Sequence, residues 1–544
     1  MKMTTEKTQK GYRYMITGLM LFTLMLTGCP LPDTGTVTEM QGEYQEDARA
    51  VLNGKVKQVA CGGAFSMVLM SDGTLWAAGH NEYGELGLGH NSNVTTFTRV
   101  MSGVKEVACG WYFTLVLKTN GTLWAAGRND RGQLGTGNTN NSNIFVQSKD
   151  KNGNNLTSIG KIACGGSHSL AVRTTGSLYV TGWNRYGALA LGDTDERHFF
   201  EKAKDQNDNN MTVKAIAAGD EFSMAIKTDG TLWGTGYNIF GQLCTGDRND
   251  RYKFVQAKDR YGEYMTDVKA ISCGAFHTLA VKSNGTLYAA GDNYWGQLGN
   301  GEGAEFDELG EPINNPHETL FIPVASNASQ IAAAGYLTLF VKTDGTLWAT
   351  GHGRWGQLGT GDNMYRYGFD QVLSGVRTIA CGGYQSLAVK TDGTLWVTGT
   401  NQYGQLGTGD GGDIYRFERK IALRSYKNNL YVCADINVSP DGPLYSNRSA
   451  LGLWETFGLI DILDGKVMLR SYATGLYVGG EDACTSRAKA NRTEENFEPF
   501  HLYKNGSVVA FLYEGNNKYL RYDSFEAEQA SPGSDTYFYI INAW

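Results

Sequence analysis

Proline is scarce in this chain of 544 residues, 9 in all, and basic charge is not in excess: 48 Lys and Arg stand against 55 Asp and Glu, a formal net charge of -7. So little proline argues against a disordered Pro/Gly tract and for a fold with many tight turns. The charge leaves no basic footprint for a phosphate backbone, so nucleic acid is excluded as a partner. Catalytic signatures are missing too: there is no H-E-x-x-H, no C-x-x-C and no G-x-S-x-G. Segments such as Gly404-Gln405-Leu406-Gly407-Thr408-Gly409 lack the Lys-Ser/Thr ending of a phosphate loop and recur through the chain, which makes them structural. These absences predict a protein that is not an enzyme and has no cofactor and no metal ligand set.

Glycine, by contrast, is abundant at 71 residues, and the length calls for two or more domains. Lys2, Lys7, Lys10 and Arg13 precede an apolar run from Met15 to Leu26 that is too short to span a bilayer as a mature helix. The run ends in Leu26-Thr27-Gly28-Cys29, which resembles the lipobox of bacterial lipoproteins. That resemblance implies cleavage before Cys29, lipidation of Cys29, and a membrane-anchored protein of the bacterial cell envelope, at the outer membrane or cell surface. Residues 1–28 are then the signal peptide and 29–47 a flexible tether. Of the remaining cysteines, Cys61, Cys109, Cys164, Cys273 and Cys381 occupy one repeat position, filled elsewhere by Ala218 and Ala333. Interchange with Ala marks a small buried apolar site, so no disulfide framework is expected.

One unit recurs seven times, marked by Asp72, Asn120, Thr175, Asp229, Asn284, Asp344 and Asp392, each followed by Gly. Between alternating apolar segments, here Phe65-Ser66-Met67-Val68-Leu69 and Thr74-Leu75-Trp76-Ala77-Ala78, such a pair predicts a two-residue hairpin turn with both residues at positive φ. A period near 50 residues with only β signals describes units that stack radially, the blades of a propeller. The full pattern includes Ala380-Cys381-Gly382-Gly383, Asp392-Gly393-Thr394-Leu395-Trp396 and Asn401-Gln402-Tyr403-Gly404-Gln405-Leu406-Gly407. It resembles the regulator of chromosome condensation repeat and implies a seven-bladed β-propeller over 48–421. The seventh repeat shows no outer strand like Val372-Leu373-Ser374-Gly375, whereas Val51-Leu52-Asn53-Gly54 does. The expectation is that residues near 48–54 close the ring.

From 422 to 544 a threefold pattern takes over, with Leu423-Arg424-Ser425-Tyr426, Leu469-Arg470-Ser471-Tyr472 and the weaker Phe511-Leu512-Tyr513. It resembles a fascin-type β-trefoil, so the fold class is all-β, a seven-bladed propeller followed by a trefoil. The Q-x-W mark of ricin-type lectin copies is absent, and fold alone assigns no function.

A hairpin returns the chain to the face it left, so the residues before its first strand and after its second share one propeller face. The first set includes Trp111, Tyr112, Asp220, Glu221, Phe276, Tyr336 and Tyr384, and the second includes His80, Arg128, Trp183, Tyr237, Asp292, Tyr294, His352 and Arg354. Aromatic and charged side chains varying on a constant frame suit recognition of a protein or glycan. The expected binding residues are Trp111, Tyr112, Trp183, Asp220, Glu221, Tyr237, Tyr294, Tyr336, His352, Arg354 and Tyr384. Tyr83, Tyr186, Phe240, Trp295, Trp355 and Tyr403 share one position and are read as framework, and His168 and His277 as packed residues. Asp150 to Asn154 and Asp205 to Asn209 are polar turn tips without the Glu of a calcium loop. The reading is a monomeric, lipid-anchored recognition protein with the trefoil as accessory or spacer. The family's exchange activity on a small GTPase and a glycan-acting enzyme are its alternatives.

Overall fold

The computed structural model describes residues 56–425 apart from 306, 308–312 and 315, and the strands that follow between 431 and 542; side chains are described as far as 419 and at Leu459. Each repeat folds into a four-stranded antiparallel sheet. In the first, β1 (Val56–Cys61), β2 (Phe65–Met70), β3 (Leu75–Gly79) and β4 (Val94–Met101) lie in that order, and six further sheets repeat it. β2 is buried along its whole length because neighbouring sheets cover both of its faces, which is why it carries few polar residues.

The hairpin turn differs from the expected form. Asp72 keeps a negative φ and only Gly73 enters the left-handed region at +83°, while Gly73 N donates to Met70 O at 3.0 Å and Met70 N to Thr74 O at 2.9 Å. This is a three-residue loop of a type I turn closed by a left-handed Gly. The Asp is selected for its carboxylate, since Asp72 Oδ1 accepts from both Thr74 N (2.8 Å) and Thr74 Oγ1 (2.7 Å). The Thr oxygen in turn accepts from Trp76 Nε1 at 3.2 Å, tying the turn to the second strand.

The first strands of the seven sheets neighbour one another in sequence, and Val376–Cys381 meets Val56–Cys61 to complete the circle. Side chains stitch successive blades: Gln58 Nε2 donates to Val107 O at 2.8 Å, Lys161 Nζ to Lys214 O at 2.6 Å, and the Arg377 guanidinium to Val56 O. At the closure Val59, Val68 and Trp76 of blade 1 share one core with Leu387, Val389 and Leu395 of blade 7.

Blade 7 has an outer strand of its own. The outer place in blade 7 is taken by the repeat's own strand, Ile414–Ser425, through Val397↔Glu418 and Gly399↔Ile414. Residues 48–54, expected to close the ring, lie outside the described residues. Ile414–Ser425 pairs onward with Thr456–Asp461 and Tyr537–Asn542, crossing the predicted domain boundary. The described C-terminal strands are antiparallel, as in Phe457↔Ser471 and Phe500↔Tyr513.

Rings at the start of the second strand lie on the first Gly of blades 1 to 5. A Cβ on Gly62, Gly110 or Gly219 would come within 2.0 Å of Phe65, Phe113 or Phe222, and on Gly165 or Gly274 within 2.2 Å of His168 or His277. Blade 6 has Ala334 there and the smaller Leu337 opposite. His168 and His277 are fully buried, with Nε2 2.9 Å from Ser223 Oγ and Thr338 Oγ1, and burial lowers their pKa values to about 4 and about 3. Both are packed residues, as expected. The turn tips are also accounted for: Asp150 Oδ1 accepts from Asn152 N (2.9 Å) and Asn154 N (3.1 Å), and Asp205 Oδ1 does the same for Asn207 and Asn209.

Cys61, Cys109, Cys164, Cys273 and Cys381 are free and line an axial channel of about 330 Å³. Burial pushes every one of these thiols above its ordinary pKa, Cys61 to about 12. Thiolate is the reactive form, so native iodoacetamide labelling of these five, read site by site by mass spectrometry, is expected to be at least about a hundredfold slower than in denaturant. Labelling at the denatured rate would contradict the packing. Cys29 and Cys484 lie outside the described residues, and Cys433 stands in the strand Tyr431–Ala434, whose side chains are not described.

Candidate functional site

One hydrogen bond per blade joins the two variable sets. The N–H of His80, Arg128, Trp183, Tyr237, Asp292, His352 and Thr400 donates to the carbonyl of Ala64, Tyr112, Ser167, Glu221, Phe276, Tyr336 and Tyr384, at 2.9 to 3.0 Å. Hairpin geometry alone therefore brings both sets to one face. In six blades the loop behind the second set is held by a buried Asn, as where Asn401 Oδ1 accepts from Leu406 N at 3.0 Å and its Nδ2 donates to Asp410 O at 2.7 Å; blade 6 has Gly353 there.

The position nearest the axis is Gly63, Trp111, Gly166, Asp220, Ala275, Gly335 and Gly383 in blades 1 to 7. Only Trp111 and Asp220 have functional side chains, and they meet: Trp111 Nε1 donates to Asp220 Oδ1 at 2.5 Å. The indole lies across the channel mouth, for a Cβ on Gly63, Gly166 or Gly383 would fall within 2.7 to 2.9 Å of it. The small residues of this ring make room for Trp111.

Trp111 also divides two recesses. The first, about 360 Å³, is charged and lies among Trp111, Arg128, Arg131, Trp183, Asp220 and Glu221. Trp183 Nε1 donates to Glu221 Oε1 at 3.0 Å, and Arg131 lies 4.1 Å above the Trp183 ring while pairing with Glu196 at 2.8 Å. Burial pushes the Asp220 carboxyl up to about 6, against the Trp111 hydrogen bond and with help from the Glu221 charge; burial raises Glu221 as well.

The second recess, about 280 Å³, lies where blades 7 and 1 meet and is aromatic: Trp111, Tyr112, Trp355, Tyr384 and Tyr403 line it with His80. Tyr384 stands steeply to both indoles, at 65° to Trp111 and 84° to Trp355. His80 Nδ1 donates to Glu85 Oε1 at 2.5 Å, a bond that raises the His80 pKa. Glu85 stands where most blades have Gln. At the matching place in blade 6, His352 faces Gln357 at 2.9 Å, and burial lowers its pKa to about 4, with Arg354 adding to the effect. The pKa values of these equivalent histidines are thus shifted in opposite directions, up in blade 1 by the Glu85 hydrogen bond and down in blade 6 by burial.

Of the expected residues, the structure brings Trp111, Trp183, Asp220 and Glu221 into the first recess and Trp111, Tyr112 and Tyr384 into the second. Tyr237 and Tyr336 flank Phe276 in an aromatic row, at 6.0 and 6.1 Å. Tyr294 and His352 each meet the Trp295 ring edge-on, and His352 also lies tilted against Tyr365, in a separate cluster, while Arg354 lies 5.6 Å over Trp355. Arg131, Gln402 and Gln405 were not expected in the site, and Trp355 and Tyr403, read as framework, line the second recess. Cys29 lies outside the described residues. Among the described residues, no group of three or more His, Cys, Asp or Glu side chains is placed to hold a metal ion.

Two family models for the regulator of chromosome condensation (RCC1) repeat match the chain, one at 56–85, 104–133, 160–188, 213–242, 268–297 and 376–405, the other at 72–117, 120–172, 175–226 and 229–281. The ultraviolet-B receptor UVR8 of Arabidopsis thaliana is 36% identical over 208 residues, 38% of this chain and 44% of the receptor. The probable E3 ubiquitin-protein ligase HERC3 of Homo sapiens is 37% identical over 337 residues, 61% of this chain and 31% of the ligase. The chain thus spans less than half the length of either relative. Among solved structures, human WBSCR16 superposes with a TM-score of 0.52 at 22% identity, covering 63% of this chain and 89% of that one. Prp20p of Saccharomyces cerevisiae does so with 0.53 at 18% identity, covering 64% and 86%. At these identities the two structures show the fold. Repeats, strand order and superpositions agree: the chain is an RCC1-repeat protein whose repeats form a seven-bladed β-propeller.

Proposed function

We propose that this chain is a recognition protein of the bacterial cell envelope, held to a membrane by a lipid on Cys29, that binds a protein or glycan through the face crossed by Trp111. The observation that carries this reading is the hydrogen bond repeated in all seven blades, which gathers fourteen variable positions on one face. Indole hydrogen bonds then hold Trp111 and Trp183 in place before any partner arrives, which lowers the ordering cost of binding. Protein recognition accords with the family, since Prp20p was described together with its binding to Gsp1p and histones. The trefoil of residues 422–544 serves as a second surface or spacer.

Exchange on a GTPase has only the shared fold in its favour. A glycan-acting enzyme would need two carboxyls facing across a cleft, whereas Asp220 and Glu221 are consecutive residues, each turned to a different indole N–H. The test is affinity capture of envelope proteins and glycans on residues 30–544, beside a folded Trp111→Ala, Trp183→Ala, Tyr237→Ala triple variant. A ligand held by the native chain and lost by the variant is the expected outcome. Equal capture by both would move the binding site off this face.

A further inference from the structure

The recess between blades 7 and 1 contains an unmet hydrogen-bond donor. Gln405 lines it, is fully buried, and accepts from Tyr403 N through Oε1 at 3.0 Å, while its Nε2 has no partner. In blades 5 and 6 the matching amide nitrogen is satisfied by Asp292 Oδ2 at 2.8 Å and His352 Nδ1 at 2.9 Å, whereas in blade 4 that of Gln242 is unmet as in blade 7. Blade 7 has Thr400 in that place, and Thr400 Oγ1 turns away to Asp413 at 2.8 Å. A buried donor without an acceptor is uncommon in a native fold and is satisfied when a ligand oxygen reaches it.

The rest of the recess narrows the ligand's chemistry. Its walls are flat aromatic faces set steeply to one another, which makes a notch for one ring. No Asp, Glu, Lys or Arg lines it, so it offers no counter-charge for an ionic guest. His80 lines it too, with its Nδ1 engaged by Glu85 Oε1 at 2.5 Å. A ligand with an apolar flat face and hydroxyl acceptors at its edge fits these walls, and a volume of about 280 Å³ limits it to a small ring.

We propose that this recess is a subsite for one neutral sugar ring, whose C–H face lies on the Trp355 or Trp111 indole and whose hydroxyl oxygen accepts from Gln405 Nε2. The proposal rests on the face being the recognition surface and names the ligand of one part of it. Trp111 presents its ring here because its N–H is engaged on the other side by Asp220.

The test applies full-length protein, in a detergent without a sugar headgroup, to an array of neutral oligosaccharides. The methyl glycoside of the best terminal sugar is then titrated by calorimetry. Trp355→Ala is expected to weaken binding about thirtyfold and Gln405→Met about tenfold. Tyr261→Ala, on an exposed hairpin tip, should bind as the native chain does. If Gln405→Met does not fold, Gln405→Glu removes the donor at nearly constant shape. Sugar binding that survives both recess substitutions would overturn the assignment. A blank array would overturn it too, as would a proline-rich peptide occupying the recess in place of sugar. If the array is blank while a protein is still captured through Trp111 and Trp183, the recognition face stands and only the sugar subsite falls.

Discussion

Gly110→Ala is expected to destabilise the propeller by about 1–3 kcal/mol, and adding Phe113→Leu is expected to restore part of that loss. The new Cβ would lie 2.0 Å from Phe113 Cε1 and 2.7 Å from the Gly165 carbonyl. The ring can be exchanged for something smaller, whereas the backbone contact stays, so the rescue is partial. Blade 6 already has the rescued pair in Ala334 and Leu337. Phe113→Leu alone should cost about 1 kcal/mol by leaving a void, so the two changes couple with opposite sign. Urea unfolding of the three variants gives the cycle. Strictly additive losses would mean that the ring does not sit on the glycine.

The second large effect concerns charge. Burial pushes Asp220 from 3.8 to about 6, so the folded chain binds this proton more tightly than the unfolded chain does. The sign is the reverse of a salt-bridged acid: ionised Asp220 costs stability above pH 6, and the cost disappears as pH falls through 6 towards 4. Asp220→Asn keeps an oxygen for Trp111 Nε1 and removes the charge. It should stabilise the protein at pH 8 by about 2–3 kcal/mol and change nothing at pH 4, as read from thermal midpoints across pH. Parallel curves for the two proteins would show that the carboxyl is well solvated. The same titration makes the first recess more negative above pH 6, where a cationic partner group would bind better.

Much of the fold was legible because its signals are local. Asp72-Gly73 and its six counterparts, with apolar alternation on either side, specify a hairpin within ten residues, and the repeat period specifies how many hairpins stack. The sixth blade, matched by neither family model, was visible from Asp344-Gly345 and Trp348 alone. The turn itself was misread because a type I turn with a left-handed Gly and a two-residue turn share the same Asp-Gly pair. The outer strand of blade 7 was overlooked because Ile414–Ser425 runs without interruption past the expected boundary at 421, and no turn residues mark its end.

The site divides along the same line. That two variable sets share a face follows from hairpin geometry, which the sequence alone determines through a turn and two short strands. Which members meet was decided only by tertiary structure. Trp111 and Asp220 are 109 residues apart and touch because blades 2 and 4 present them across one mouth. Trp355 and Tyr403 look like framework in a repeat alignment, yet border a recess because blade 7 brings Tyr384 beside them. Gln405 lacks an acceptor because Thr400 found Asp413 instead. Backbone periodicity is a property of adjacent residues, whereas these contacts depend on the angle between blades, which is set by closing the whole ring.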